Sequence, residues 1–125
     1  MSLLLDTHII LWWLNDDRRL HPDVRLRIQE TTNVLVSTAS VWEVSIKRGL
    51  AKLRVPDDWT DHVTADGFQM LPVHLQHARA VAKLPPLHRD PFDRMLIVQA
   101  QLEGSSIVSL DPRIHRYEVD VVPGR

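Results

Sequence analysis

The sequence has 125 residues, no cysteine, and fifteen Lys and Arg against sixteen Asp and Glu, a formal net charge of −1. That length suits one domain whose hydrophobic core needs no disulfide or structural metal, and the missing thiols exclude cysteine catalysis and thiolate zinc sites while suiting a reducing cytosol. Near-neutral charge provides no global field for nucleic acid, so any such binding must come from a local basic patch.

Met1-Ser2 runs straight into an apolar stretch without a basic flank or cleavage site, and the longest apolar run, Ile9 to Leu14, is too short to cross a bilayer. A soluble cytoplasmic protein is expected, with no membrane association. No repeat, low-complexity tract or Gly/Ser linker divides the chain, so 1–125 reads as a single domain.

Leu3-Leu4-Leu5 is wholly apolar and suits a central parallel strand buried on both faces. Thr7 to Asn15 and Pro22 to Glu30 read as helices. Val34-Leu35-Val36 is a second strand, leading into a helix from Ala39 to Leu50. Asp57 is expected to cap a helix to about Ala65, Phe68 to Val73 to be a weaker strand, and His74 to Leu84 an amphipathic helix. The stiff segment Pro85 to Arg89 delivers the chain to a helix over Asp90 to Gly104 that is apolar on most sides. Ile107 to Leu110 is another buried strand, Asp111-Pro112 starts a short helix to Arg116, and Val119 to Val122 is a last strand at an edge. The alternation predicts an α/β fold of three layers, α/β/α, with a central mainly parallel sheet of four or five strands.

Carboxylates gather where such a fold binds ligands. Asp6 ends the first strand and Asp111 follows the strand Ile107 to Leu110, placing both on the carboxyl edge of the sheet. Glu43 falls in the first turns of the helix after the second strand, and Asp93 in the first turn of the buried helix. Each has a structural explanation. Asp6 and Asp111 suit helix caps, Glu43 suits a capping box with Ser40 or an ion pair with Lys47, and Asp90 with Pro91 is a good helix start. Four such groups on one rim would repel one another unless something positive were held among them. Oxygen-only donors favour a hard cation, Mg2+ or Mn2+, over zinc, with two direct carboxylates and two acting through water. Such a centre suits phosphodiester hydrolysis.

The segments Leu5-Asp6-Thr7-His8, Ser40-Val41-Trp42-Glu43, Asp90-Pro91-Phe92-Asp93-Arg94-Met95-Leu96-Ile97 and Ser109-Leu110-Asp111 resemble, in order and spacing, the four acidic motifs of PIN-domain proteins. The chain is most similar to the VapC-type toxins, over essentially its whole length. The resemblance implies a PIN-like fold and a metal-dependent endoribonuclease. It also implies a homodimer, neutralised by a small antitoxin whose tail enters the active-site groove. Carried over by position, Asp6 and Asp93 contact the metal, and Glu43 and Asp111 complete the quartet. Asp90 is a cap or an outer-shell group, and the hydroxyls of Thr7 and Ser109 steady metal-bound water or phosphate, or bond the local backbone.

Lys47, Arg48, Lys52, Arg54, Arg89, Arg94 and Arg113 lie in segments that approach the rim and are candidates to hold an RNA backbone, Arg94 foremost. His8, His88 and His115 fall near the same edge but read as surface or outer-shell groups. His74 and His77, three apart on a helix, read as a solvated face. Trp12, Trp13, Trp42 and Trp59 are assigned to the core or to a subunit interface. Two other functions stay open: a phosphohydrolase with Asp6 as an aspartyl-phosphate nucleophile, weakened because His8 stands where a second Asp would serve, and a non-catalytic RNA- or protein-binding module.

Overall fold

In the computed structural model, which describes residues 1–124, the three leucines lie at the centre of the sheet. Leu3, Leu4 and Leu5 expose nothing to solvent, and β1 (Ser2–Leu5) has a parallel neighbour on each side, β2 (Asn33–Ser37) and β4 (Ser106–Ser109). β2 pairs with β3 (Gln69–Leu71) and β4 with β5 (Val121–Pro123). The sheet is five-stranded, all parallel, in the order β3-β2-β1-β4-β5. The chain builds outward on one side of β1 and then returns to build on the other. That switch leaves a crevice above the carboxyl ends of β1 and β4.

Strand side chains alternate between two cores. Leu3, Leu5, Val34, Val36, Val108 and Val122 point to one face, packed by α1 (Thr7–Leu14), α2 (Pro22–Glu30) and α4 (Trp59–Ala65) through Ile9, Ile10, Val24, Ile28, Trp59 and Val63. Leu4 and Ile107 point to the other, where α6 (Pro91–Glu103) supplies Leu96, Ile97 and Ala100. Each leucine fully removed from water contributes about 2 kcal/mol, which makes β1 the least replaceable strand. α3 (Thr38–Gly49) and α5 (Leu75–Ala80) complete the helices. None of the described helices is long and apolar enough to cross a membrane.

Several expected elements are shorter or displaced. β3 does not reach from Phe68 to Val73, because both ends have other partners: the Phe68 amide donates to the Val63 carbonyl and the Val73 amide to Thr38 Oγ1. The helix expected from His74 to Leu84 is α5 alone, followed by a 3-10 turn at Val81–Lys83. Arg94 draws off the carbonyls of Val81 and Leu84 at 3.2 and 3.1 Å. At the start of α4 the capping position belongs to Asp58, while Asp57 pairs with Arg48. The short helix after Asp111-Pro112 is only a 3-10 turn, Ile114–Arg116. The last strand begins at Val121, since the Val119 amide turns back to the Tyr117 carbonyl, and it runs on into Pro123, which an edge strand tolerates.

Candidate active site at the carboxyl edge of the sheet

Asp6 follows the last residue of β1 and caps α1, its Oδ1 accepting the Ile9 amide at 3.0 Å. It is 5% exposed, and burial above all pushes its carboxyl above the usual range, against hydrogen bonds from the Ser109 hydroxyl and the Ile9 amide. Ser109 is itself fully buried, and its Oγ accepts the Asp111 amide at 3.0 Å. One hydroxyl therefore links the ends of β1 and β4.

Glu43 projects from α3 and is 4% exposed. Its Oε1 accepts the Thr7 hydroxyl at 2.6 Å and its Oε2 faces Lys47 Nζ at 2.6 Å. The expected pairing with Lys47 is present, and Thr7 is the partner that ties Glu43 across to α1. Thr7 Oγ1 also lies 3.1 Å from Ser40 Oγ.

Asp93 sits in the first turn of α6. Burial, the charges of Asp90 and Asp6, and more weakly that of Glu43 push its carboxyl up to about 7, with His88 acting in the opposite sense. The helix start itself is served by Asp90, whose Oδ1 accepts the amides of Phe92 and Asp93 at 2.8 and 3.0 Å. Of the two roles open to Asp90, the capping one is what its side chain performs. Asp111 lies beyond β4. Burial raises its carboxyl, but the Arg113 side chain and amide, with His88, more than offset this and hold it below the ordinary value.

Asp6, Glu43, Asp90, Asp93 and Asp111 line one cleft of about 370 Å3, with Thr7, Lys47 and Arg113. Four segments far apart in sequence thus bring five carboxylates to one place, of which Glu43 is paired with Lys47 and Asp111 with Arg113. The carboxylate oxygens gather where anionic charge destabilises itself, and they fit a hard divalent cation.

Other expectations are corrected. Arg94, foremost among the RNA-contacting candidates, turns away from the cleft. Its guanidinium donates to the carbonyls of Pro85, His88, Val81 and Leu84 at 3.1 to 3.2 Å. Neighbours on a helix point about 100° apart, so the residue after Asp93 does not share its outlook. Of the two readings open to His88, surface or outer-shell, the surface one fails: it is 3% exposed and lies against the acids, with Nε2 2.9 Å from Asp93 Oδ2 and 3.1 Å from Asp111 Oδ2. His77, assigned to a solvated face, is fully buried between the His74 amide, 3.0 Å from Nδ1, and Glu103, 3.2 Å from Nε2. Trp12 and Trp59 are core residues, but Trp42 is 63% exposed and meets Phe92 edge to face at 5.1 Å.

A parallel five-stranded sheet covered on both faces, with carboxylates assembled over the ends of its central strands, defines an α/β protein with an acidic, cation-seeking centre. The chain belongs to the PIN-domain family, whose model matches residues 3–120. Among curated proteins no sequence relative matches. Solved structures similar in fold include VapBC2 from Rickettsia felis bound to a DNA fragment from its promoter, at 12% identity and a TM-score of 0.74, covering 98% of each chain. DNA-bound VapBC from Salmonella typhimurium is 18% identical with a TM-score of 0.71, covering 98% of this chain and 97% of that one. FitAcB from Neisseria gonorrhoeae is 18% identical with a TM-score of 0.68 and the same coverage. At these identities the likeness is one of fold.

Proposed function

We propose that this chain is a metal-dependent endoribonuclease, the toxin of a VapBC-type toxin–antitoxin pair. The observation that carries the reading is the convergence of Asp6, Glu43, Asp93 and Asp111 on one cleft. Asp93 there holds its proton to about 7 because it is buried and its neighbours Asp90, Asp6 and Glu43 are negative. The cation is Mg2+, with Mn2+ as a substitute, since carboxylate oxygens from four segments outnumber the one nitrogen, His88 Nε2, that stands among them. When bound, such an ion lowers the pKa of a water and neutralises charge building on the scissile phosphate.

Asp6 and Asp93 would hold the ion directly, with Glu43 and Asp111 completing the acidic quartet. Thr7 and Lys47 fix the orientation of Glu43 from opposite sides. Ser109 orients Asp6 and braces the turn that carries Asp111. The Arg113 side chain is 59% exposed beside Asp111 and is placed to receive a phosphate oxygen of an incoming strand. The RNA backbone lies along the cleft rim between Lys47 and Arg113. A small antitoxin covers that rim in the resting complex, the chain pairs as a homodimer, and it acts in the cytoplasm. Support for the antitoxin comes from similarity of fold to chains solved as VapBC assemblies. The aspartyl-phosphate alternative gains nothing from the geometry, since His8, exposed, stands where a second carboxylate would be needed.

The test is cleavage of single-stranded RNA by purified protein. Cleavage abolished by EDTA, restored by Mg2+ and lost in Asp6→Asn and Asp93→Asn is expected. Cleavage indifferent to chelation, or unchanged in both variants, overturns the reading.

A further inference from the structure

We propose that His88 is a positioning residue of the acidic centre, a proton-bearing strut that ties Asp111 beside Asp93 and keeps nitrogen out of the metal's ligand set. The inference rests on the nuclease reading above. His88 Nδ1 accepts the amide of Asp90 at 3.2 Å. A ring nitrogen that accepts keeps its lone pair, so the proton of the neutral ring is on Nε2. That Nε2 lies 3.1 Å from Asp111 Oδ2, in hydrogen-bonding geometry, and 2.9 Å from Asp93 Oδ2.

The ring has little freedom to do otherwise. The His88 amide donates to Tyr117 Oη at 2.8 Å, and its carbonyl accepts from Arg94 Nη1 at 3.2 Å, so its backbone is held from two directions. For Nε2 to bind a metal, the ring proton would have to move to Nδ1 and face the Asp90 amide, donor against donor. Asp90 caps α6, and its amide is fixed by the helix entry. His88, Asp93 and Asp111 bring ligand atoms within 4.8 Å of one another, yet the nitrogen among them is barred from coordination. The result is a centre that presents oxygen to the ion, selecting Mg2+ or Mn2+ over zinc, with Asp111 held by the Nε2–H of His88 and Asp93 in contact with the same nitrogen.

Long-range 15N–1H NMR of the metal-free protein, with His88 assigned by its loss in His88→Gln, reads the tautomer directly. Nε2–H is expected; a ring protonated on Nδ1 overturns the proposal. Titration calorimetry with Mn2+ supplies the second readout. His88→Gln, whose amide N–H reaches a similar point, is expected to bind within about threefold of wild type, and His88→Leu to lose about ten- to a hundredfold. Equal losses in both variants indicate nitrogen ligation, and unchanged affinity in His88→Leu indicates a core role only; either overturns the proposal. If His88→Leu fails to fold, the tautomer and His88→Gln decide. Wild type that binds no Mn2+ sinks the nuclease reading and this role with it, whereas binding with the wrong tautomer sinks this role alone.

Discussion

Replacing Asp93 by Asn should stabilise the metal-free protein at neutral pH. The Asp93 carboxyl moves from an ordinary 3.8 to about 7 because burial and the charges of Asp90, Asp6 and Glu43 oppose its ionisation. A raised pKa means that the folded state holds the proton more tightly than the unfolded chain does. The stability this contributes is complete below about pH 4 and is lost as pH rises through about 7. At ~1.4 kcal/mol per tenfold change in proton affinity the full effect would be about 4 kcal/mol. Solvent reaching the cleft, and the sharing of charge among the acids, reduce it to about 2 kcal/mol. Asn keeps the shape without the charge. Urea unfolding in EDTA at pH 4.5, 6 and 8 should show wild type and Asp93→Asn converging at the acid end. The variant should be ahead by about 2 kcal/mol at pH 8, with equal m-values. A variant no more stable than wild type at pH 8, or a gap that does not change with pH, would refute the reasoning.

Asp90→Ala removes the acceptor for two amides at the start of α6 and should lower stability by about 1–2 kcal/mol, measured by the urea midpoint. Arg94→Lys cannot reach four carbonyls at once. A loss of about 2 kcal/mol is expected, with faster amide hydrogen exchange confined to residues 81–88. The tryptophans should separate sharply in thermal melts, Trp59→Ala costing about 3–5 kcal/mol and Trp42→Ala less than about 1 kcal/mol, because only the first is buried. Thr7→Val leaves Glu43 buried without its hydroxyl donor and should destabilise by about 1–3 kcal/mol in the same melts.

What could be read from the residues was whatever their own chemistry decides. Leu3-Leu4-Leu5 has no polar group to show to water, so a strand buried on both faces followed from composition alone. The parallel sheet followed from the spacing of such runs. The acids at 6, 43, 93 and 111 stood out because a carboxylate at the end of an apolar element needs a reason. Strand and helix limits were less accessible, since they depend on partners distant in sequence. Thr38 Oγ1, at the start of the helix that follows β2, takes the Val73 amide just beyond β3, and the helix before Pro85 stops where proline has no amide to donate, its last carbonyls met by Arg94.

The burial of His77 and His88 has the same kind of cause. The burial of His88 is imposed by Tyr117, 29 residues on, and by Arg94, neither of which leaves a local trace. One signal was there to be used: a histidine two residues before an aspartate, as in His88-Arg89-Asp90, can take that aspartate's amide on Nδ1. His21-Pro22-Asp23 does the same at the start of α2, at 3.1 Å. Arg94 was assigned to substrate by its place next to Asp93, which ignored the turn of the helix between them.

The contact of Arg94 with four peptide oxygens has a consequence for how the cleft endures changing conditions. A guanidinium stays protonated across the whole range in which proteins survive, and peptide oxygens do not titrate, so this latch is indifferent to acidity. Because its acceptors carry no net charge, added salt has little to screen. Protons and counter-ions can therefore alter the occupancy of the acidic basin while the loop bearing His88 stays clamped to the helix bearing Asp93, and the centre is retuned without being dismantled.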